Sequence, residues 1–573
     1  MELDFYDIAK KRGYKTELER DNDLEKTLKH ILSNIRKVCQ TPEYNIQSID
    51  IAYIFEHIRT SLIYIFTLFI EPDERQVIRE YRWFDLDWNI KLFDTIKKFK
   101  IPDFIYWIFL SVPYYYRDNL VRRRKVYENM IDYLIKNWTK ELYFNKKEFM
   151  FMTKTACVVY PLVYHSKSDK VILTKYCKLL RKICPDLNYT NPSLSKITWK
   201  YGEKIKVCFL SDTLTYDTSV LRDRMGIITR LPNNVFDIYY SSTKKPENIT
   251  SKISKVFYNK MKDHYIELEE DLDKARTRLE KEKFHIIIYP DIGMRVFQTF
   301  LAYSRLAPIQ ITTWGHSSTS GIDTIDYFVT SKSFEVDDLA EIESNYSEIP
   351  ILMDSLSTFY FEPSKMFCGD GFKYKDRKHF GFKPDDHIYW CMQTFFKFNE
   401  EFERAIGIIL RKDPKAKLLL SNTVPFCISH LKRMEKIFGK DGTKKIIFYP
   451  TLEKEKFLNL VYISDVVLDP FPFGGCNTSL EALEVNVPVI AFPSRIINGR
   501  FTYGFYKKMG FMDCIVDSIE QYSELALKIT HSPEFRKSIV SKIQKNKHIL
   551  FRDNASINEW SQYLQEITTK TFT

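Results

Sequence analysis

The sequence predicts an α/β protein: two doubly wound parallel-sheet units in series, preceded by an all-helical N-terminal domain. Three observations predict it. Apolar residues recur at helical spacing over the first two hundred residues. From Lys204, short β-rich runs alternate with helical ones, the rhythm of a parallel sheet with crossover helices. That rhythm stops in the polar, turn-rich stretch Phe367–His387 and then restarts. The boundaries follow: residues 1–200 form the helical domain, 203–383 a first lobe, and 384–573 a second lobe with C-terminal helices. A length of 573 residues, 44% of them apolar, is ample for cores of this number.

In the N-terminal domain, Asp23–Cys39 and Val126–Trp138 read as amphipathic helices, and Cys184–Ser195 reads as a linker. The apolar runs Ser61–Ile70 and Phe104–Val112 are too short to span a bilayer and read as buried helix segments. No self-similarity appears at a period of about 34 residues, the length of a common helical-pair repeat. In the first lobe, β-rich runs fall at Lys204–Asp212, Val235–Ser242, Phe284–Asp291, Pro308–His316 and Asp326–Ser331, with a long charged helix over Glu267–Lys283. In the second they fall at Ile388–Thr394, Ala416–Ser421, Lys444–Pro450, Asp465–Pro472, Pro488–Ser494 and Cys514–Ser518, with helical sequence from Tyr522 onward.

Charge and cysteine usage narrow the function classes. The net charge of +11 is mild for this length. Its densest run, Arg122–Lys125 beside Tyr114–Tyr116, belongs to no nucleic-acid-binding module, so it reads as a solvated helix face or an acidic-partner patch. The ten cysteines include no C-x-x-C pair, and no metal-ligand spacing is visible; scattered thiols read as small core residues in a reducing compartment. The charged N-terminus lacks the apolar core of a secretory signal. The expectation is a soluble, cytoplasmic protein with no metal, no nucleic-acid partner and no membrane span.

Doubly wound sheets bind ligands at the carboxyl ends of their strands. That rule selects Ser211 and Asp212, Pro290 and Asp291, Gly315 and His316, Gln393 to Lys397, Pro450 and Thr451, and the Asp469–Ser479 loop. In "LDPFPFGGCNTSLEAL" (Leu468–Leu483), two glycines, Gly474 and Gly475, precede Cys476, Asn477, Thr478 and Ser479 and a helix expected from about Leu480. Unpaired first-turn amides and the positive helix end suit phosphate, and the glycines allow close approach. Thr478–Glu481 also fits a capping box, the purely structural alternative. Lys397, set among Phe395, Phe396 and Phe398, can aim its ammonium into the cleft to hold a diphosphate. Lys454 offers a second contact. His316 reads as a base, a sugar-hydroxyl partner or a loop-stabilising donor. Asp291 reads as a base, a sugar-orienting group or an N-cap.

The ordered stretches "YPDIGM", "LAYSRLAPIQITTWGHSSTSGIDTIDYFVTS", "YSEIPILM", "CMQTFFKFN" and "LDPFPFGGCNTSLEALEVNVPVIAFPS…NGRFTYGFYKKMG" resemble the catalytic region of the O-linked N-acetylglucosamine transferase and SPINDLY family, especially its bacterial members. The resemblance runs from about Lys204 to the C-terminus. It implies the GT-B fold, with two facing Rossmann-like lobes, and inverting, metal-independent transfer from a nucleotide-sugar. UDP-N-acetylglucosamine is the donor it implies first, with GDP-fucose or UDP-glucose as alternatives, and a hydroxyl on a protein or glycan as acceptor. No cofactor beyond the donor is implied. By resemblance, Lys397 contacts the donor diphosphate and Gly475–Ser479 is the diphosphate loop; Arg500, in the last quoted stretch, joins the substrate-binding set. Cys476 and Asn477 stand where animal relatives carry His and Thr, and Tyr216 where they carry a His after the first strand. Asp291 and His316 are therefore the better candidates for the base. A non-catalytic nucleotide-sugar-binding protein is the remaining reading.

Overall fold

The computed structural model describes residues 120–144, 160–164, 167–421 and 427–573, with isolated positions before residue 101. The expected helix over Asp23–Cys39 and the apolar runs Ser61–Ile70 and Phe104–Val112 lie outside the described residues. The chain divides into two units, residues 1–161 with 174–188 and residues 162–173 with 189–573. In the first unit, helix α1 (Leu120–Asn137) buries Met130, Ile131 and Leu134. Trp138 follows it and packs against Phe93 and Phe144. Arg124, in the middle of the basic run, is buried, while Lys125 pairs with Glu128; the run is not a uniformly solvated face. Helix α2 (Lys170–Ile183) belongs to both units.

The second unit holds two large parallel sheets and a short two-stranded one that pairs Tyr189–Thr190 with Ser304–Arg305. The first has seven parallel strands: β1 (Ile205–Leu210), β2 (Phe236–Ser242), β3 (Tyr265–Glu267), β4 (Ile286–Tyr289), β5 (Ile309–Thr313), β6 (Tyr327–Ser331) and β7 (Ile349–Met353). Their order is β3-β2-β1-β4-β5-β6-β7. Strands β4 and β5 are buried along their whole length and β1 at every position but Lys206; β1 and β4 therefore read as near-continuous apolar runs rather than alternating ones, while β5 also buries Gln310, Thr312 and Thr313. The charged run expected as one long helix starts instead with β3 and becomes helical only over Leu272–Glu282, where Asp271 caps the first turn.

The second sheet has five parallel strands: β8 (His387–Cys391), β9 (Ala416–Ser421), β10 (Ile446–Tyr449), β11 (Val466–Leu468) and β12 (Val489–Ile490), in the order β10-β9-β8-β11-β12. The last expected strand, Cys514–Ser518, contributes only a bridge from Ile515 to Ala491. Helix α3 (Ser219–Arg230) follows β1 in the first lobe. In the second lobe, helices α4 (Glu400–Lys412), α5 (Lys454–Tyr462), α6 (Asn477–Glu484), α7 (Phe501–Met509) and α8 (Ile519–His531) cover the sheet. Helix α4 is well specified locally. Asn399 caps it by accepting from the Phe402 amide, and glutamates open it while Arg411 and Lys412 close it, matching its dipole.

The C-terminal helix α9 (Asn554–Phe572) differs from its expected place in the second lobe. Its face of Ile557, Trp560, Leu564 and Ile567 joins the core of the first lobe, and the Trp560 indole donates to the Ser357 carbonyl. In both sheets chain order reverses at the centre, between β1 and β4 and between β8 and β11. Those reversals open the crevices into which the candidate residues project.

Candidate active site

In the second lobe, Gln393 and Lys397 follow β8, and the loop Asp469–Cys476 follows β11. The Lys397 Nζ donates to the Gly474 carbonyl at 2.9 Å and lies 4.4 Å from the Phe473 ring centroid. Burial pushes its ammonium down to about 8. The loop is anchored from below by Asp469. Its Oδ1 accepts from the Gly475 amide at 2.5 Å and its Oδ2 from the Thr502 hydroxyl at 2.6 Å. Burial pushes the Asp469 carboxyl up to about 6. Both glycines are required. A Cβ at Gly474 would lie 2.9 Å from Asp469 Oδ2, and one at Gly475 would lie 2.5 Å from Thr478 Oγ1 and 2.9 Å from Ser479 Oγ.

The helix after the loop begins earlier than expected, and the capping box does not form. Helix α6 starts at Asn477, and the amides of Ser479 and Leu480 both turn back to the Cys476 carbonyl, each at 3.1 Å. Glu481 does not reach back to cap the helix, because two cations hold it: Arg222 Nη1 at 2.7 Å and Lys454 Nζ. The first-turn amides of Asn477 and Thr478 have no acceptor within the helix, and the dipole is positive there. This is the arrangement that accepts an anion.

The side chains of the loop are fixed by neighbours. Thr478 Oγ1 accepts from the Gln393 amide group at 2.6 Å, and Ser479 Oγ lies 2.8 Å from the Thr502 hydroxyl. Asn477 Nδ2 donates to Asp223 Oδ1 at 2.8 Å, an oxygen that also accepts from the Tyr360 hydroxyl at 2.8 Å. Cys476 Sγ lies 3.3 Å from the same Tyr360 hydroxyl. Burial raises the Cys476 thiol well above its ordinary range, so it is a neutral thiol. Asp223 and Arg222 both lie on α3, so one helix of the first lobe touches α6 twice.

In the first lobe, Asp291 follows β4 and is buried. The Thr213 hydroxyl donates to its Oδ2 at 2.8 Å, and Ser211 also hydrogen-bonds to the carboxylate. Burial outweighs these bonds and pushes Asp291 up to about 6. It does not cap the following helix, whose N-cap position is Arg295, so that alternative is excluded. His316 follows β5, and burial pushes its imidazole down to about 4, so it is neutral near pH 7. The two turns are pressed together. A Cβ on Gly315 would lie 2.4 Å from the Pro290 carbonyl oxygen, and one on Gly293 would lie 2.9 Å from the His316 ring.

Two predicted residues are engaged in the structure itself. Lys454 opens α5 and is paired with Glu481, its ammonium 4.4 Å from the Phe457 ring centroid. Arg500 directs its guanidinium to the carbonyls of Ser494 (3.0 Å) and Glu335 (2.9 Å), which ties two loops together. Sequence reasoning included Gln393 and Asp469 within its strand-end positions but gave them no role. It missed Asp223, whose only signal is an acidic residue between two arginines on the apolar face of a helix.

Residues 370–566 match the family model described as glycosyl transferase family 41. The match covers about a third of the chain, which is similar to O-GlcNAc transferase and SPINDLY proteins. A mutant of Thermobaculum terrenum O-GlcNAc transferase has the same fold, with a TM-score of 0.64 at 15% identity over 94% of this chain and 98% of that one. The chain is 22% identical over 284 residues to the UDP-glucose:protein N-beta-glucosyltransferase of Actinobacillus pleuropneumoniae, covering 49% of this chain and 43% of that protein. It is 24% identical over 262 residues to the probable UDP-N-acetylglucosamine–peptide N-acetylglucosaminyltransferase SEC of Arabidopsis thaliana, covering 45% of this chain and 26% of that protein. The chain thus spans under half the length of these two relatives. Among the described residues, no helix is long and apolar enough to cross a membrane.

Proposed function

We propose that the chain is an inverting glycosyltransferase that moves a sugar from a nucleoside-diphosphate sugar to a hydroxyl acceptor. The observation that carries this reading is the Lys397 ammonium, 2.9 Å from the carbonyl of Gly474 and one turn of loop from the open amides of α6. A diphosphate seated on those amides would take over the ammonium from the carbonyl. It would also recover the charge stabilisation that burial denies Lys397. Fixed donors aimed at the charge that develops on a leaving nucleotide are an effective source of acceleration, and this arrangement needs no metal.

In the proposed reaction an acceptor oxygen attacks the anomeric carbon from the face opposite the phosphate. The bond between that carbon and the phosphate oxygen breaks, and its electron pair leaves on the diphosphate. The proton passes to Asp291, whose position near 6 suits a base that works at neutral pH. His316, neutral at that pH, serves as a hydrogen-bond partner for the sugar or acceptor rather than as a cation. Lys454 and Arg500 act at one remove, by holding Glu481 and the 494–500 loop against the donor site.

UDP-N-acetylglucosamine is the proposed donor and a protein hydroxyl the proposed acceptor, supported by the name of the Arabidopsis relative. The name of the Actinobacillus relative supports UDP-glucose as the second choice. Thermal-shift titration of the full chain tests the proposal, because a ligand that binds only the native state raises the melting temperature. UDP and UDP-N-acetylglucosamine are expected to stabilise the protein and GDP is not. A larger shift with GDP or GDP-fucose would overturn the donor assignment, and no shift with any nucleotide would overturn the function.

A further inference from the structure

The second sheet carries another cluster of ligating side chains, at the end of β8 away from the phosphate loop. His387 is the first residue of β8, Asp413 follows the last residue of α4, and His531 is the last residue of α8. Three separate elements thus bring two imidazoles to one carboxylate. His387 Nδ1 lies 2.7 Å and His531 Nε2 3.3 Å from the same oxygen, Asp413 Oδ2. The three candidate ligand atoms all lie within 4.8 Å of one another. From these residues we propose a binding site for a borderline first-row dication, Zn²⁺ in the first instance, with His387, Asp413 and His531 as ligands.

The donor set is the first argument. Two imidazoles and one carboxylate suit zinc, copper or nickel and are poor for calcium or magnesium, which prefer all-oxygen shells. The geometry is the second. Bonds of about 2.0–2.2 Å in a tetrahedron place neighbouring ligand atoms about 3.4 Å apart. The His531–Asp413 separation of 3.3 Å already meets that spacing, and His387 need withdraw by only a fraction of an ångström. The supporting shell is the third. The Tyr389 hydroxyl donates to Asp413 Oδ2 at 2.7 Å and the Lys415 amide to Oδ1 at 3.0 Å, so the carboxylate is held in one orientation. The His531 side chain is 43% exposed, which leaves an entry path and room for water as the fourth ligand. Sequence spacing could not reveal the site, because its members lie in three segments far apart in the chain.

The strand β8 is five residues long, so its two ends stand about 13 Å apart. The ion is therefore structural: it ties α8 to the edge of the donor-binding lobe and takes no part in sugar transfer. Full-length protein freed of metal with a chelator would be titrated with Zn²⁺ against a chromophoric competitor. Co²⁺ binding would be followed in parallel by its absorption spectrum. One equivalent of Zn²⁺, a Co²⁺ spectrum of tetrahedral nitrogen–oxygen type, and an affinity at least about 100-fold lower in His531→Ala, beyond the loss typical of an outer-shell partner, are expected. His387→Gln gives the second variant, and circular dichroism establishes that each is folded. Wild-type Zn²⁺ affinity in both folded variants would overturn the proposal. So would a cobalt–thiolate charge-transfer band, which would assign the metal to cysteines, or no binding in the wild-type chain.

Discussion

Replacing Lys397 by Met separates catalysis from folding, because the structure places opposing contributions on that side chain. Burial pushes the ammonium from the usual lysine range down to about 8, which corresponds to about 3 kcal/mol against holding it charged at neutral pH. Its bond to the Gly474 carbonyl returns about 1.5–3 kcal/mol, the range for a charged donor. The two nearly cancel, and Met keeps an apolar side chain of similar length beside Phe473, whose ring centroid lies 4.4 Å from the Lys397 Nζ. The melting temperature of Lys397→Met is therefore expected to stay within a few degrees of wild type. Transfer should fall by at least about 10²–10³, the loss seen when one donor to a developing anion is removed. The assay is release of free nucleotide from UDP-N-acetylglucosamine, with differential scanning fluorimetry of the same samples and a UDP titration. Weakened UDP stabilisation should accompany the lost turnover. Wild-type turnover in the variant would refute the reasoning, and so would a large drop in melting temperature that accounts for the lost activity.

The free protein should show a bell-shaped kcat/KM profile. Asp291 must be ionised, which fails as pH falls below about 6, and Lys397 must be charged, which fails as pH rises above about 8. Asp291→Asn should lower kcat by at least about 10² and remove the acid limb, whereas His316→Asn should leave that limb in place; retention of the limb in Asp291→Asn would reassign the base. Gly475→Ala should weaken UDP binding and cost about 1–3 kcal/mol of stability, read by urea unfolding, because its Cβ meets Thr478, Ser479 and Gln393 at once. Asp469 is raised to about 6 in the native state, so native protein holds the proton more tightly than unfolded chain. Its contribution to stability is present at low pH and is lost as pH rises through about 6. Asp469→Asn should accordingly flatten the decline in melting temperature between about pH 4 and pH 6, and an unchanged slope would count against the assignment. Removing Glu481 by substitution with Ala strands two cations, Arg222 and the half-buried Lys454, and should destabilise the protein by about 3–5 kcal/mol in the same unfolding assay.

Much of the architecture was legible in the chain itself. Runs such as Val207–Leu210 and Ile286–Ile288 are apolar without alternation, the pattern of a strand buried on both faces, and their alternation with helical stretches implies parallel sheets. The strand-end rule led to Lys397 and the Gly474–Ser479 loop because a doubly wound sheet exposes backbone and side chains at its carboxyl edge. Local pattern failed where a choice depended on distant partners. Thr478–Glu481 spells a capping box, yet Glu481 is drawn away by Arg222 and Lys454, and the helix starts at Asn477 instead. The terminal helix has the apolar stripe of any surface helix, and nothing in that stripe says which lobe it covers. Asp223, Asp469 and the His387–Asp413–His531 cluster likewise acquire their roles only when separate segments meet. By itself the sequence determined element type and the edge at which chemistry would gather, because periodicity and chain reversal are local properties. Tertiary structure alone decided which charges are buried and which carboxylates are pushed up toward neutrality, because desolvation and ion pairing depend on neighbours that the chain order does not place side by side.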